Sequence, residues 1–475
     1  SSSTANARQA RIPVRSGRIH PFWRVASHRM GRRNFDGSSR ARMLRVDSVA
    51  HRVKILLVAT RSVDGARTGR KVGLETIVRS CEALGHQVDI AVIGPSEPST
   101  GGISIQAPGF LRVGHNFVRH FLLGRKSLNE CLYWSRQTRR RIADLVVSGA
   151  YDMVVADMLR SAQFCSGLKV PWILDLDDLL SDRYAGLAAA EDGRMLLGYF
   201  LHRLPVSLRR SAAWIAHRLL KFESRRIAAQ ERRFGLLADA VTLVSSIEAA
   251  KLARQLGRAV HGTAMGIDVP DLAPIDASRR HARAVAFMGG LDYQPNLAAV
   301  AHYLRCIAPE LERLGCPVAL HVLGHAPHEL RPPDPVGLAT YLGYVNDLES
   351  TLARYTVFVA PILADGGIKT KVLEAMANGL AVIATEQAVA GLGITPGKEC
   401  IVTRTPGEFA RAIQALIDDP DGCRRLGAAA QRFVGLNFSR SVLEIKWQQL
   451  LEDAASHFQL MAASSCNAGT SKPTR

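Results

Sequence analysis

The chain has 475 residues, 47% of them hydrophobic, enough to bury two cores and to favour two domains with extensions. No apolar stretch reaches the ~18 residues of a membrane-spanning helix before Arg, His or Gly breaks it, which points to a soluble or peripheral protein. Net charge is +19, but residues 1–50 hold eleven Arg against two Asp and carry about half of the excess, which weakens a nucleic-acid reading.

Residues 1–50 are rich in Ser, Gly and Arg and show no hydrophobic period. They lack the roughly 7–15-residue apolar core of a secretory signal. A disordered basic extension is expected there, with a transit peptide as the alternative. The eight cysteines, Cys81, Cys131, Cys165, Cys306, Cys316, Cys400, Cys423 and Cys466, are scattered without a C-x-x-C pair. Their scatter argues for a reducing, cytoplasmic compartment and against structural zinc or disulfides. Aromatic residues are 6% of the chain, too sparse for the base-stacking stripe of a nucleic-acid binder.

Order begins at Val53, where Val53–Ala59 reads as a buried strand by its nearly continuous, β-branched apolar run. A glycine loop over Asp64–Gly69 follows, then a helix through Leu74, Ile77, Val78, Cys81 and Leu84 that Gly85 ends, then a strand over Val88–Ile93. Strand, loop, helix and strand make a right-handed βαβ unit in a parallel sheet. Further strands are expected over Asp152–Ala156, Trp172–Leu176 and Ala240–Val244. A basic amphipathic helix is expected over Leu128–Val147, with Tyr133 and Trp134 as packing residues. Between Asp182 and Phe234 the sequence is helical and basic; two readings fit it, a core-packed helix with a solvated face and a helix lying on an anionic membrane surface.

A second alternating series follows the proline-bearing stretch Val269–Ile275. Ala284–Met288 is a strand ending in Gly289-Gly290, and a helix over Pro295–Leu314 carries Leu297, Val300, Leu304, Ile307 and Leu311 on one stripe. Val318–Gly324, Thr356–Ala360 and Ala381–Thr385 are strands. The pattern gives two consecutive α/β domains, with a ligand cleft where the carboxyl ends of their strands face each other.

The segment Pro361–Gly379 follows a strand and opens a helix. Gly366 and Gly367 permit close backbone approach, and the free N–H groups of the first helical turn favour a phosphate above them. Lys369 and Lys371 oppose the helix dipole at that end and so cost stability unless an anion is bound. Glu374 lies one turn beyond Lys371, where a carboxylate can accept hydrogen bonds from both hydroxyls of a ribose. The alternative is a surface Lys–Glu pair of a few tenths of a kcal/mol.

These residues resemble the donor motif G-x-K-x-K-x-x-E-A-M-A of a bacterial subgroup of family-4 retaining glycosyltransferases, which have the GT-B fold of two Rossmann-like domains facing across a cleft. Phe287–Asn296, Leu323-Gly324, Gly391-Leu392 and Pro396-Gly397 agree with that group, as do Asp175–Asp178, Val244–Ser246 before Glu248, and Gly266–Asp268. The resemblance covers residues 53–455 and is more specific in the second half. It implies that Glu374 binds the nucleotide ribose, that Lys369 and Lys371 neutralise the diphosphate, and that Gly289, Gly290, Gly366 and Gly367 line the donor site; Glu374 and Lys371 would serve turnover most directly. It further implies a nucleotide-sugar donor, a glycan or lipid-linked acceptor, retention of configuration, and a role in cell-surface polysaccharide or glycolipid synthesis on the inner face of the membrane. No cofactor and no metal are expected.

Four positions depart from the pattern of that family. Gly366, with Asp365 beside it, stands where relatives carry a first glutamate. Gly290 and Asn296 stand where an Arg and a Lys are common, and Asp157 replaces a histidine. A nucleotide-sugar epimerase and a weakly catalytic binding protein are the alternative functions.

Other motifs are weaker. Asp175-Leu-Asp-Asp178 has a D-x-D pattern, but its place at a strand end favours an acceptor-side or loop-anchoring role for Asp175 and Asp178 over metal binding. Gly65–Val72 is one residue short of a P-loop and has Val72 where Ser or Thr would hold magnesium, so Gly69 and Arg70 read as a glycine loop facing the donor phosphates. The organisation expected is a basic extension (1–50), an acceptor domain (51–268), a linker (269–282), a nucleotide-sugar domain (283–438), a C-terminal helix crossing back to the first domain (439–460) and a disordered tail (461–475).

Overall fold

The computed structural model describes residues 52–61, 69–94, 102–189, 206–263, 266–270, 283–363 and 367–468, all within one unit, Ala50–Arg475. The expectations for residues 1–50, for Gly65, for Leu196–Leu204, for the linker beyond Pro270, for Gly366 and for residues 469–475 fall outside that description, as do the side chains of Trp214 and Ile215.

Two parallel sheets organise the described residues. The first contains β1 (Lys54–Ala59), β2 (Gln87–Gly94), β3 (Ile103–Gln106), β4 (Met153–Asp157), β5 (Trp172–Asp175), β6 (Ala240–Leu243) and β7 (His261–Gly262), in the order β3-β2-β1-β4-β5-β6-β7. The second contains β8 (Ala284–Met288), β9 (Ala319–Leu323), β10 (Ala339–Gly343), β11 (Val357–Ala360), β12 (Ala381–Thr385) and β13 (Ile401–Thr403), in the order β10-β9-β8-β11-β12-β13. β4, β5, β6, β11 and β12 are buried along their whole length, because helices cover both faces of each sheet. All strand pairs are parallel, so the carboxyl ends of each sheet gather on one side. The two-domain Rossmann-like architecture expected from the alternating pattern is the one observed.

Local chemistry explains the elements. The helix Gly69–Ala83 buries Leu74, Ile77 and Cys81, and the chain turns into β2 through Gly85 at φ 84°, a conformation that favours glycine. The helix begun at Gln294, with Pro295 in its first turn, passes through a π-turn at Tyr303–Ile307 and continues to Arg313. Its stripe of Val300, Leu304, Ile307 and Leu311 is fully buried.

Two helical expectations change. Leu128–Val147 is two helices, Leu128–Cys131 and Arg136–Ser148. Ser135 starts the second by accepting the N–H groups of Gln137 and Thr138, while Trp134 leaves the axis to stack on Phe164 at 6.0 Å. The C-terminal helix runs Arg440–Ala468, past the expected end at 460, since no Gly or Pro interrupts it before Gly469. Its Leu443, Trp447, Leu450, Leu451 and Ala454 share one apolar cluster with Ile55, Leu57, Met153 and Ile173 of the first sheet.

Two strands of chain connect the lobes, and they run side by side. Ile267 N–H donates to the Phe438 carbonyl at 2.7 Å, Ile267 forms an isolated parallel bridge with Ser439, and Arg440 pairs with Asp268 at 2.8 Å.

Candidate functional site

On the second lobe, three elements converge at the carboxyl end of the sheet. β8 is followed by Gly289, at φ 150°, and β9 by Gly324, at φ 136°. A Cβ on Gly324 would come within 2.7 Å of the Gly289 backbone, so only glycine lets the two strand ends touch. A Cβ on Gly289 would lie 2.5 Å from the Asn296 amide and 2.7 Å from Lys371 Nζ. The amide of Asn296 donates to the Gly290 carbonyl at 2.7 Å, and its Oδ1 accepts from Lys371 Nζ.

Lys371 therefore stands over the β8 glycines, with Nζ 4.8 Å from the centre of the Phe287 ring. Burial lowers its pKa to about 7; Glu374 works in the opposite direction and Lys369 in the same one. Lys369 sits at the N-cap of the helix Thr370–Ala377, without a side-chain cap, and its Nζ donates to the Gly367 carbonyl at 3.1 Å. Gly367 holds φ 65°. The first turn of this helix carries no acid. Two lysines and a row of N–H groups at a positive helix end make a strong anion-binding arrangement. The half-buried Glu374 is one turn further on.

The first lobe presents the opposite charge. Gly69 opens the helix Gly69–Ala83, and Arg70 beside it turns inward rather than into an open glycine loop. Its guanidinium is bound by Asp157 (Nε to Oδ1, 2.8 Å), Asp175 (2.8 Å) and Asp177 (3.2 Å). Arg70, Asp157 and Asp175 are 8%, 0% and 3% exposed, so this guanidinium is the counter-charge that both buried carboxyl groups face. Burial raises the Asp175 pKa and Arg70 counters it; the three carboxylates hold Arg70 well above the usual arginine range despite its burial. Met158 and Asp177, at φ 62° and 66°, bend the backbone where β4 and β5 end.

Asp178 follows, 5% exposed, paired with Arg183 at 3.0 Å and with its Oδ1 lacking a hydrogen-bond partner. Burial raises its pKa, while Arg183 and, from the other lobe, Lys369 lower it. Its Oδ2 lies 3.6 Å from where a Cβ of Gly367 would stand, so the D-x-D-D turn and the lysine-bearing loop meet across the cleft. Glu248 lies behind it; burial and the charge of Asp178 push its pKa up to about 7. Among the described residues no group of three or more Asp, Glu, His or Cys could hold a metal ion. A cavity of about 230 Å³ opens beside the loop, lined by Val244, Ile247, Ile368, Leu392, Phe433 and Phe438.

Sequence reasoning singled out Arg70 and Asp175 but missed their joint burial with Asp157 and Asp177, and it missed Glu248 as a titrating group. A signal was available: β4 and β5 are adjacent buried strands, and each apolar run ends in an aspartate. Two carboxylates side by side at a buried edge require a cation between them.

Residues 282–419 match the family model described as glycosyl transferases group 1. An uncharacterised 44.6 kDa protein of the cps region of Klebsiella pneumoniae is 24% identical over 188 residues, 36% of this chain and 48% of that one, so the match spans about half of that relative. Sucrose-phosphate synthase from Thermosynechococcus elongatus superposes with a TM-score of 0.58 at 17% identity, over 87% of this chain and all of that one (100%). Anabaena HepE in complex with UDP superposes at 0.55 and 13% identity, over 84% and 99% of the two chains. A second HepE structure, with UDP-glucose, does so at 0.53 and 13%, over 85% and 100%. Residues 282–419 of the second lobe thus resemble a glycosyl transferases group 1 domain, and the two sheets share the two-lobed GT-B fold of these structures.

Proposed function

We propose that the chain transfers a sugar from a nucleotide-diphosphate sugar to a glycan or lipid-linked acceptor, with retention of configuration. The observation that carries the reading is Lys371, held by Asn296 over the β8 glycines at the N-terminal end of the helix Thr370–Ala377. A diphosphate there would receive Lys371, Lys369 and the helix N–H groups together, and would return the desolvated ammonium of Lys371 to full charge. Those same groups would meet the negative charge that grows on the leaving diphosphate as the sugar bond breaks. Glu374, one turn along, would take the ribose hydroxyls. The sugar would then project toward Asp178 and the first lobe, where the acceptor binds. The proposed products are cell-surface polysaccharide or glycolipid. Since HepE binds UDP and UDP-glucose, uridine donors are the first to test.

A thermal-shift screen against UDP, GDP, ADP and TDP and their sugars tests this on the parent and on Glu374→Ala. One base series should stabilise the parent and lose most of its effect in the variant. Equal shifts in both proteins would remove Glu374 from the ribose site.

A further inference from the structure

The first lobe carries an exposed apolar surface that the donor site does not use. We propose that residues 110–125, with the adjoining face of the helix Val206–Leu237, dock on an anionic lipid surface. Phe110, Leu111 and Leu123 are 90%, 88% and 82% exposed, and Leu122 and Val118 follow at 57% and 51%. Apolar side chains this exposed and this close together mark a surface that another phase or molecule covers.

The segment is built, not frayed. It is helical over Phe110–Asn116 and continues through a π-turn at Phe117–Leu122. Asn116 points inward and donates to the carbonyls of Cys131 (3.0 Å) and Trp134 (2.8 Å). Phe121 is buried between Phe117, stacked at 5.0 Å, and Phe222, edge-on at 5.8 Å. Gln230 donates to the Arg125 carbonyl at 2.8 Å, and Arg226 donates to that of Lys126 at 2.9 Å. These anchors fix the remaining side chains outward. Phe222 and Leu219, 45% and 44% exposed, extend the patch onto the long helix.

Charge selects the occupant. From Phe110 to Lys126 there is no Asp or Glu, while Arg112, Arg119 and Arg125 are exposed among the apolar side chains. Arg218, Lys221 and Arg225 are exposed on the neighbouring helix. Apolar residues that enter the acyl boundary, rimmed among the described residues by these cations, fit an anionic bilayer. The segment follows β3, whose carboxyl end lies on the same side of the sheet as Asp157 and Asp175, so the patch borders the rim that faces the cleft. That a lipid-linked acceptor reaches the cleft from this surface rests on the proposed function; the docking itself does not.

The test uses the full chain and sedimentation with vesicles of phosphatidylglycerol and phosphatidylcholine, against phosphatidylcholine alone, at about 0.1 M salt. Binding should be on the order of tenfold stronger or more with phosphatidylglycerol, and lost on that scale in Leu122→Ser/Leu123→Ser and in Arg112→Glu/Arg119→Glu. Both double variants should keep the melting temperature of the parent. Equal binding to the two vesicle types, or unchanged binding by both variants, overturns the proposal. So does a parent that ignores vesicles but is dimeric by light scattering and monomeric as Leu122→Ser/Leu123→Ser, which would make the patch a contact between copies.

Discussion

The two rims of the cleft are built to opposite electrical designs from the same secondary structure. In each lobe a parallel sheet ends in a loop and a helix start. The first lobe fills that position with Asp157, Asp175 and Asp177 around one buried arginine, and with Asp178 beside them paired to Arg183. The second fills it with glycines and two lysines. A ligand with one strongly anionic end and one hydroxyl-rich end therefore has a single favourable orientation, phosphate toward the second lobe. The asymmetry also separates a charge held among opposite charges from one held beside a positive helix end. Arg70 is neutralised by its neighbours, whereas the Lys371 ammonium is desolvated beside a positive helix end.

The largest effect should come from removing Arg70. Arg70→Ala leaves three carboxylates facing each other at a buried edge, and the urea midpoint should fall by the equivalent of about 3–5 kcal/mol. A variant as stable as the parent would show that the acidic rim is solvated and open to ligand, which would break the contrast drawn above.

Lys371→Ala should lower turnover roughly 10- to 100-fold, the scale of one lost charge-assisted contact in the transition state. Steady-state kinetics with the donor found in the thermal screen would measure it. Full activity would place the diphosphate elsewhere.

The smallest effect sharpens the comparison through pH. Burial brings Lys371 to about 7 in the folded protein, while an unfolded lysine titrates near ~10.4. The unfolded chain thus holds more protons across that window, and this group makes stability rise with pH from about 7 upward. Nucleotide binding should raise the pKa again and take up a proton, so affinity should fall by up to about tenfold per pH unit above 7. Calorimetry at pH 8 in buffers of different ionisation enthalpy reads the proton uptake directly. Lys371→Arg should abolish it; uptake that persists in that variant belongs to another group.

The central strands were legible because each is a continuous β-branched run covered on both faces, as Val53–Ala59 and Ala381–Thr385 show. The edge strands were not. β3 sets only Ile103 and Ile105 inward between exposed positions, β10 alternates between half-buried and exposed positions, β7 is two residues long, and none carries a distinctive apolar run. The candidate second-lobe site was legible in part, for a different reason: Gly367, Lys369, Lys371 and Glu374 lie within one turn-and-helix stretch, so spacing alone brings them together, whereas Asn296 reaches Lys371 from another element. The first-lobe cluster joins positions 70, 157, 175 and 177, and only the order of strands makes them neighbours. Local chemistry writes itself into a sequence; chemistry assembled by topology does not.

The adjacency of the two inter-lobe connections has a mechanical meaning. Connections at separate points would brace the lobes like two bolts through a plate. Here the segments around Ile267 and Ser439 are bonded to each other and act as one pin. Rotation about that pin would change the gap at Gly367 and Asp178 while leaving both sheets undistorted.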